Sequence, residues 1–536
     1  MCVQIIFVVQ LLIALDYLKG FFLMRKDSFT YQHNQLVQVL RAILIGLLTG
    51  LVVSLFRLAI QHSLTLVTAC FRYFHQHPTG LIWWAIGSVI LALALGWLTQ
   101  SYPNIKGSGI PQVEGQLTGQ FEEKWWPVLW RKFFGGILAI GSGLYLGREG
   151  PSIQLGATVG QGVAETFHAG QLNRRIGIAS GAAAGLSAAF NAPIASTIFI
   201  LEEVYHNFSP VIWLATFVSA LCSNMVSLTF FGLHPVLGVH YQHMLPTNLY
   251  WHLLLLGLLL GLLGRLYQIV ILHLDSWTAK IKWLPAFAYP VLPFLLVIPI
   301  AWYWPITLGG GNILITHLTS LPFSLTIFAG VFILRFVFSM VSYSSQLPGG
   351  IFLPILTLGA AFGAVYCALM VKLGLLPARY LPNFIIYSMA GYFACISKAP
   401  FTAILLITEM VGSLAHLMPL AIVAMVAYLV VDGLHGEPVY TAMFNNFIGK
   451  RKVPHQNDIE ILVTIYAGSK LDGMKIADFQ WPDNSIVTTI YRGEQRIIPN
   501  GKTVLSAGDT LVIQACKPKT SQIQSELMTA AHYADI

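Results

Sequence analysis

The chain has 536 residues, of which 56% are hydrophobic and only 10% are Asp, Glu, Lys or Arg, and its mean hydropathy is +0.69. Soluble domains average about 25% charged residues, which excludes a water-soluble enzyme, and the 12% aromatic content excludes disorder. An integral membrane protein remains. The formal charge is +8, unevenly placed: residues 453–536 hold 9 of the 22 acids and 7 of the 30 bases, leaving 13 acids against 23 bases in residues 1–452. An apolar body with few carboxylates and surplus cations suits an anion better than a cation, and no basic run accompanies a soluble fold, so nucleic acid is not an expected partner.

In chain order, residues 1–34 form an apolar or peripheral segment. Its first 24 residues, interrupted by Asp16 and Lys19, lack the positive start and small-residue cleavage site of a signal peptide. A peripheral helix or translation beginning at Met24 are both open, and no function is assigned to it. Apolar stretches then recur near 41–60, 80–99, 128–146, 176–201, 211–231, 249–272, 284–303, 324–341, 351–373, 384–397, 399–413 and 417–432. A span needs about 20 apolar residues, so some cross fully while others, cut by Gly or Pro, read as short or broken helices. The runs are continuous rather than alternating, which rules against a β-barrel. The expected transport body is therefore an α-helical bundle over 35–450. After Arg451 and Lys452 the composition shifts. Segments 459–467, 485–492 and 510–516 read as strands separated by turn residues, giving a small α/β module over 455–536 on the cytoplasmic side. The six cysteines are scattered singly, without metal-binding or disulfide spacing, and no nucleotide-binding, zincin or hydrolase motif is found. No metal, cofactor or enzymatic activity is expected.

The body repeats itself. Gly147-x-x-x-Pro151-x-x-x-Leu155-Gly156-Ala157-x-x-Gly160 has the spacing of Gly350-x-x-x-Pro354-x-x-x-Leu358-Gly359-Ala360-x-x-Gly363, and Ala192-Pro193…Glu202 matches Ala399-Pro400…Glu409. Duplicated, Gly/Pro-interrupted membrane segments point to a transporter whose site lies between the repeats. Proline suits the first turn of a helix, where its missing N–H would have no partner. Segments 147–151 and 350–354 therefore read as helix starts inside the membrane, with a third at Gly107-Ser108-Gly109-Ile110-Pro111. Free N–H groups there cannot face lipid, and helix N-termini favour anions.

Glu149 lies within the first repeated start, where the second copy has Phe352. A carboxylate at such a tip can occupy the anion position itself and leave it on protonation, although it can also be a simple cap. Glu202 corresponds to Glu409, whereas Glu203 has no acidic counterpart, its equivalent being Met410. An unpaired extra acid inside a bundle suggests a second proton station.

These motifs, with Ala189-Phe190-Asn191-Ala192-Pro193 and the late Tyr440, resemble the CLC family of chloride channels and chloride/proton antiporters over roughly 35–445. The resemblance implies a homodimer with one pore per subunit, each built from two inverted halves of broken and tilted helices. It also implies that Ser108 and Tyr440 donate hydroxyl hydrogen bonds to a central chloride alongside the backbone amides of Ile351 and Phe352. Glu149 would be the external gating glutamate and Glu203 the internal proton-transfer glutamate, a feature of the antiporter branch that channels typically lack. Ser108 resembles chloride-preferring members, and the fluoride-exporting branch differs in these motifs. The expected function is exchange of chloride for protons, the alternative being a passive chloride channel of the same fold. The tail, with Gly468-Ser469-Lys470-Leu471 and Leu505-Ser506-Ala507-Gly508-Asp509, resembles a TrkA-C (RCK C-terminal) module. That likeness implies regulation by a small ligand and a bacterial inner membrane, with membrane lipid as the surrounding medium.

Overall fold

The structure, a computed structural model, describes residues 31–233, 235–238, 243–280, 285–449, 459–483, 485–493, 495–515 and 520–531. Residues 1–30, most of the proposed N-terminal segment, lie outside the described residues, as do Cys2, Cys516, Arg451 and Lys452. Among the described residues eight helices are long and apolar enough to cross a membrane. The first, α1 (Tyr31–Phe74), has 44 residues, far more than the 41–60 stretch suggested. No glycine or proline interrupts it after Gly50, so propagation continues past the apolar run.

Short and broken elements surround the centre. After α2 (Gly80–Ser101) comes the nine-residue α3 (Ile110–Thr118), then α4 (Trp125–Gly141) and α5 (Glu149–Thr166). The stretch 176–201 is not one helix but two. α6 (Gln171–Phe190) stops where Asn191 takes a left-handed φ of 53°, and α7 (Pro193–Phe199) restarts at the proline. α7 ends in a π turn over Ile200–Val204 and is followed by α8 (Pro210–Phe231), α9 (Trp251–Thr278), α10 (Val291–Tyr303), α11 (Asn312–His317) and α12 (Leu325–Ser344).

The second half repeats the first. α13 (Phe352–Lys372) begins 203 residues after α5 does. α14 (Leu381–Ser397) stops at Lys398, whose φ of 58° mirrors Asn191, and α15 (Pro400–Val411) begins 207 residues after α7. α16 (Leu417–Gly433) and α17 (Val439–Gly449) complete the body. In both halves the buried helix pair is joined by small residues. A Cβ on Gly156 would lie 2.0 Å from the Gly181 carbonyl oxygen, and one on Gly363 would lie 2.3 Å from that of Phe384. These backbones approach as closely as glycine allows, in place of the hydrophobic effect that lipid does not supply.

The C-terminal module is a four-stranded antiparallel sheet in the order β1-β4-β2-β3, formed by Ile459–Thr464, Ser485–Arg492, Gln495–Ile497 and Asp509–Ala515. The three expected strands are present, the first shortened at its end, the second with the expected bounds and the third shifted by one residue. The short β3 was not expected, and the helical part of the expected α/β module is α18 (Thr520–Ala531). β3 is a three-residue hairpin partner, and α18 carries a mostly polar sequence whose Ile523, Leu527 and Ala531 are buried in one core with Ile461, Val463 and Leu511. Spaced four apart, they share one helix face.

Candidate functional site

Three helix N-termini meet at the centre of the body. α3 opens after Gly109, whose φ of 94° lies where a side chain would be strained, and carries Pro111 in its first turn. α5 opens at Glu149 with Pro151, and α13 at Phe352 with Pro354. The first-turn N–H groups of each lack intrahelical partners, and their tips carry partial positive charge.

The backbone binds the three tips together. Gly147 and Gly350 donate to one another's carbonyl at 2.7 Å in each direction, an antiparallel bridge between the same position of the two repeats. The Gly349 N–H donates to the Gly107 carbonyl at 3.0 Å, which adds the α3 loop. From below, the fully buried Lys132 donates its Nζ to the carbonyls of Ile105 at 3.0 Å and Gly107 at 2.8 Å. These bonds fix the loop that carries Ser108. Lys132→Met deletes both, each a charge-assisted bond worth about 1.5–3 kcal/mol. It is expected to lower the thermal midpoint and to weaken halide binding by about tenfold, as read by calorimetry on detergent-purified protein. Unchanged halide affinity would count against this anchoring role.

The expected site residues sit around these tips. Ser108 packs against the first turn of α5, since a Cβ on Gly150 would lie 2.2 Å from its Oγ. Ile351 and Phe352 are buried at the α13 start, and Phe352 sits in an aromatic cage, 4.3 Å from Phe393 and 5.1 Å from Phe190 between ring centroids. Phe199 links it to Tyr440, at 5.6 and 5.9 Å respectively. The Ser108 and Tyr440 hydroxyls are buried with no hydrogen-bond partner among the described residues. Two orphaned donors beside positive helix tips are what a dehydrated anion requires.

Glu149 is fully buried. Its carboxylate curls over Gly147, in space that a Cβ there would take, and lies near its own N–H and that of Leu353 without a well-formed hydrogen bond. The nearest cation is Arg148, its Nε 3.7 Å from Glu149 Oε1. Glu203 lies on the π turn, 3% exposed, with Oε1 unpartnered among the described residues. Tyr440 stands within electrostatic reach of both acids.

The neighbouring acids resolve differently. Glu202 Oε2 accepts from the Thr402 N–H at 3.0 Å and its Oγ1 at 2.7 Å, capping α15. Glu409 accepts from the N–H groups of Ile194 at 3.2 Å and Ala195 at 2.7 Å, capping α7. Each repeat's glutamate thus caps the other repeat's helix, which leaves Glu203 as the additional acid. A further acid escaped sequence reasoning. Glu114, 3% exposed on α3, lies beside Thr441 and within reach of Glu203. Its signal was an acid three residues after Pro111, in a helix too short to have a wet face.

Comparison with known proteins follows the same lines. The profile of the voltage gated chloride channel family matches residues 90–432, and that of the TrkA-C domain matches residues 461–527. The "H(+)/Cl(-) exchange transporter ClcA" of Vibrio parahaemolyticus serotype O3:K6 (strain RIMD 2210633) is 33% identical over 438 residues, 78% of this chain and 91% of the relative. The crystal structure of a slow cyanobacterial Cl−/H+ antiporter is similar with a TM-score of 0.73 at 27% identity, covering 79% of this chain and 100% of that one. A eukaryotic CLC transporter (TM-score 0.66, 21% identity, covering 79% of this chain and 77% of that one) shares the fold. So does a CLC-type fluoride/proton antiporter (0.60, 23%, covering 76% and 98%).

Proposed function

We propose, for a chain that belongs to the voltage gated chloride channel family, that it is a secondary antiporter exchanging chloride for protons across the membrane. The observation that carries this reading is the pair of buried carboxyls, Glu149 and Glu203, flanking Tyr440. The names of the Vibrio relative and the cyanobacterial structure support it. A passive chloride channel needs the anion site and the gate, but it gives Glu203 no task.

In this reading Ser108 Oγ, Tyr440 OH and the amides of Ile351 and Phe352 coordinate chloride. Transfer of a bare ion to a medium of ε ≈ 4 costs on the order of 20 kcal/mol in the idealised limit. Hydroxyls, amides and partial helix charges offset that cost without a full countercharge that would trap the ion. Ionised Glu149 competes for the tip of α5, and chloride arriving nearby disfavours its charge. Once protonated it swings away and opens the path. Glu203, with Glu114 beside it, passes the proton on by a route that diverges from that of chloride. No cofactor is required for these steps.

The domain limits are taken as 1–34, 35–450 and 455–536. The protein is read as a homodimer with one pore per subunit. The apolar, exposed Ile194, Phe401, Leu414 and Met418 support this, because they flank the helices where the repeats meet. The exposed Ile82, Trp83 and Trp97 face lipid. The C-terminal module is read as cytoplasmic in a bacterial inner membrane and as a regulatory unit for a small ligand. Its Tyr466 hydroxyl donates to the His206 carbonyl at 2.6 Å, three residues beyond Glu203. The test is proton movement in proteoliposomes under an imposed chloride gradient. Uphill proton flux is expected, and chloride flux with no associated proton movement would favour the channel.

A further inference from the structure

Arg57 is a cation that neither the anion site nor the proton route uses. It lies on α1 inside the membrane body, 6% exposed, where a charged side chain is expensive unless it has a partner or a task. Its Nη1 donates to the Ala188 carbonyl at 3.4 Å and to Asn191 Oδ1 at 3.2 Å, and its guanidinium stacks 3.8 Å from the Phe231 ring centroid. Ser227 Oγ donates to the same two acceptors. Among the described residues no carboxylate lies within ion-pair distance of it.

The charged groups that face it are Arg148 and Glu149. Arg148 Nη2 reaches the Ala189 carbonyl at 3.5 Å, next to the carbonyl that Arg57 holds. Two guanidinium groups therefore grip the last turn of α6, whose carbonyl end favours cations, beside a single carboxylate. This end of α6 carries Phe190, which packs on Phe352 at the α13 tip, so the two guanidinium groups border the anion site on the side of Glu149.

We propose that Arg57 is a positioning residue of the outer gate, which together with Arg148 holds ionised Glu149 in the pore and draws the external anion that replaces it. The inference rests on the reading of Glu149 as the gate. Arg148 at short range, and Arg57 from beyond ion-pair distance, favour the ionised carboxylate, and desolvated guanidinium groups attract chloride more strongly than they would in water. The groups that bear on Glu149 are Arg148, Arg57 and the Tyr440 hydroxyl. Removing the Arg57 charge weakens the hold on the closed form, so protons open the gate at higher pH.

The test uses full-length protein in liposomes, with chloride flux recorded against external pH and external chloride. In Arg57→Met the midpoint of activation by acid is expected to move about one pH unit upward. The KM for external chloride is expected to rise about fivefold. Arg57→Lys, which keeps the charge, restores both. Arg57→Gln, which can still bond Ala188, shifts the midpoint as Arg57→Met does and serves if the Met variant fails to fold. An unmoved midpoint in both neutral variants, or a Lys variant shifted as far as they are, overturns the inference while leaving the gate reading intact. Wild-type protein that moves chloride with no response to external pH overturns both.

Discussion

Glu149→Gln converts coupled exchange into chloride movement alone. The amide matches the carboxyl in size but carries no charge and titrates no proton. It no longer competes with chloride at the α5 tip, where the surrounding N–H groups and Arg148 favour an anion. It also cannot carry a proton across the point where the two paths meet. Chloride electrode and external pH traces recorded together on proteoliposomes are expected to show continued chloride flux. Proton flux should fall at least about tenfold, a loss of about 1.4 kcal/mol in effective barrier terms. The fold should be unaffected, because neither carboxylate oxygen closes a hydrogen bond that the structure relies on. Proton coupling that persists unchanged would refute the gate.

Glu203→Gln gives a complementary result with a different cause. Glu203 sits on the π turn beyond Tyr440, with Glu114 and Glu202 within electrostatic reach. Glu202 is committed to capping α15 through Thr402, so it cannot take over the relay. Chloride binding at Ser108 and Tyr440 does not involve Glu203, and chloride flux should continue while proton movement drops at least about tenfold. The two variants are separated by pH. Chloride flux through Glu203→Gln should still respond to external acid, because Glu149 is still there to take up a proton, whereas flux through Glu149→Gln should not. A Glu203→Gln protein that moves protons against their gradient would remove the relay assignment.

Much of this arrangement was legible in the sequence because membrane physics restricts where glycine, proline and carboxylates can stand. The repeat spacing located both central helix starts, and α5 and α13 begin at that interval. What escaped was long-range or weakly patterned. The reciprocal caps of Glu202 and Glu409 depend on two segments about 200 residues apart meeting head to head, which periodicity along one chain cannot express. The break at Asn191 was hidden because the apolar run continues through it, and only a left-handed residue followed by proline marks it. Glu114 and Arg57 were passed over for the opposite reason. Glu114 is the single charge of its helix, and Arg57 stands far along α1 from Arg41 and Arg72; the meaning of each depends on a partner brought from elsewhere, Glu203 for one and Glu149 for the other. In the tail, a three-residue strand and a largely polar helix lie below the length and contrast at which pattern is informative.

Bromide, which scatters anomalously and can stand in for chloride, offers the most direct test of the shared anion site. Crystals soaked in bromide are predicted to show an anomalous peak bounded by Ser108 Oγ, Tyr440 OH and the amides of Ile351 and Phe352. In Glu149→Gln a second peak should take the place of the carboxylate. No peak at the first position, or a Glu149 carboxylate turned toward lipid while halide binds elsewhere, would contradict the account.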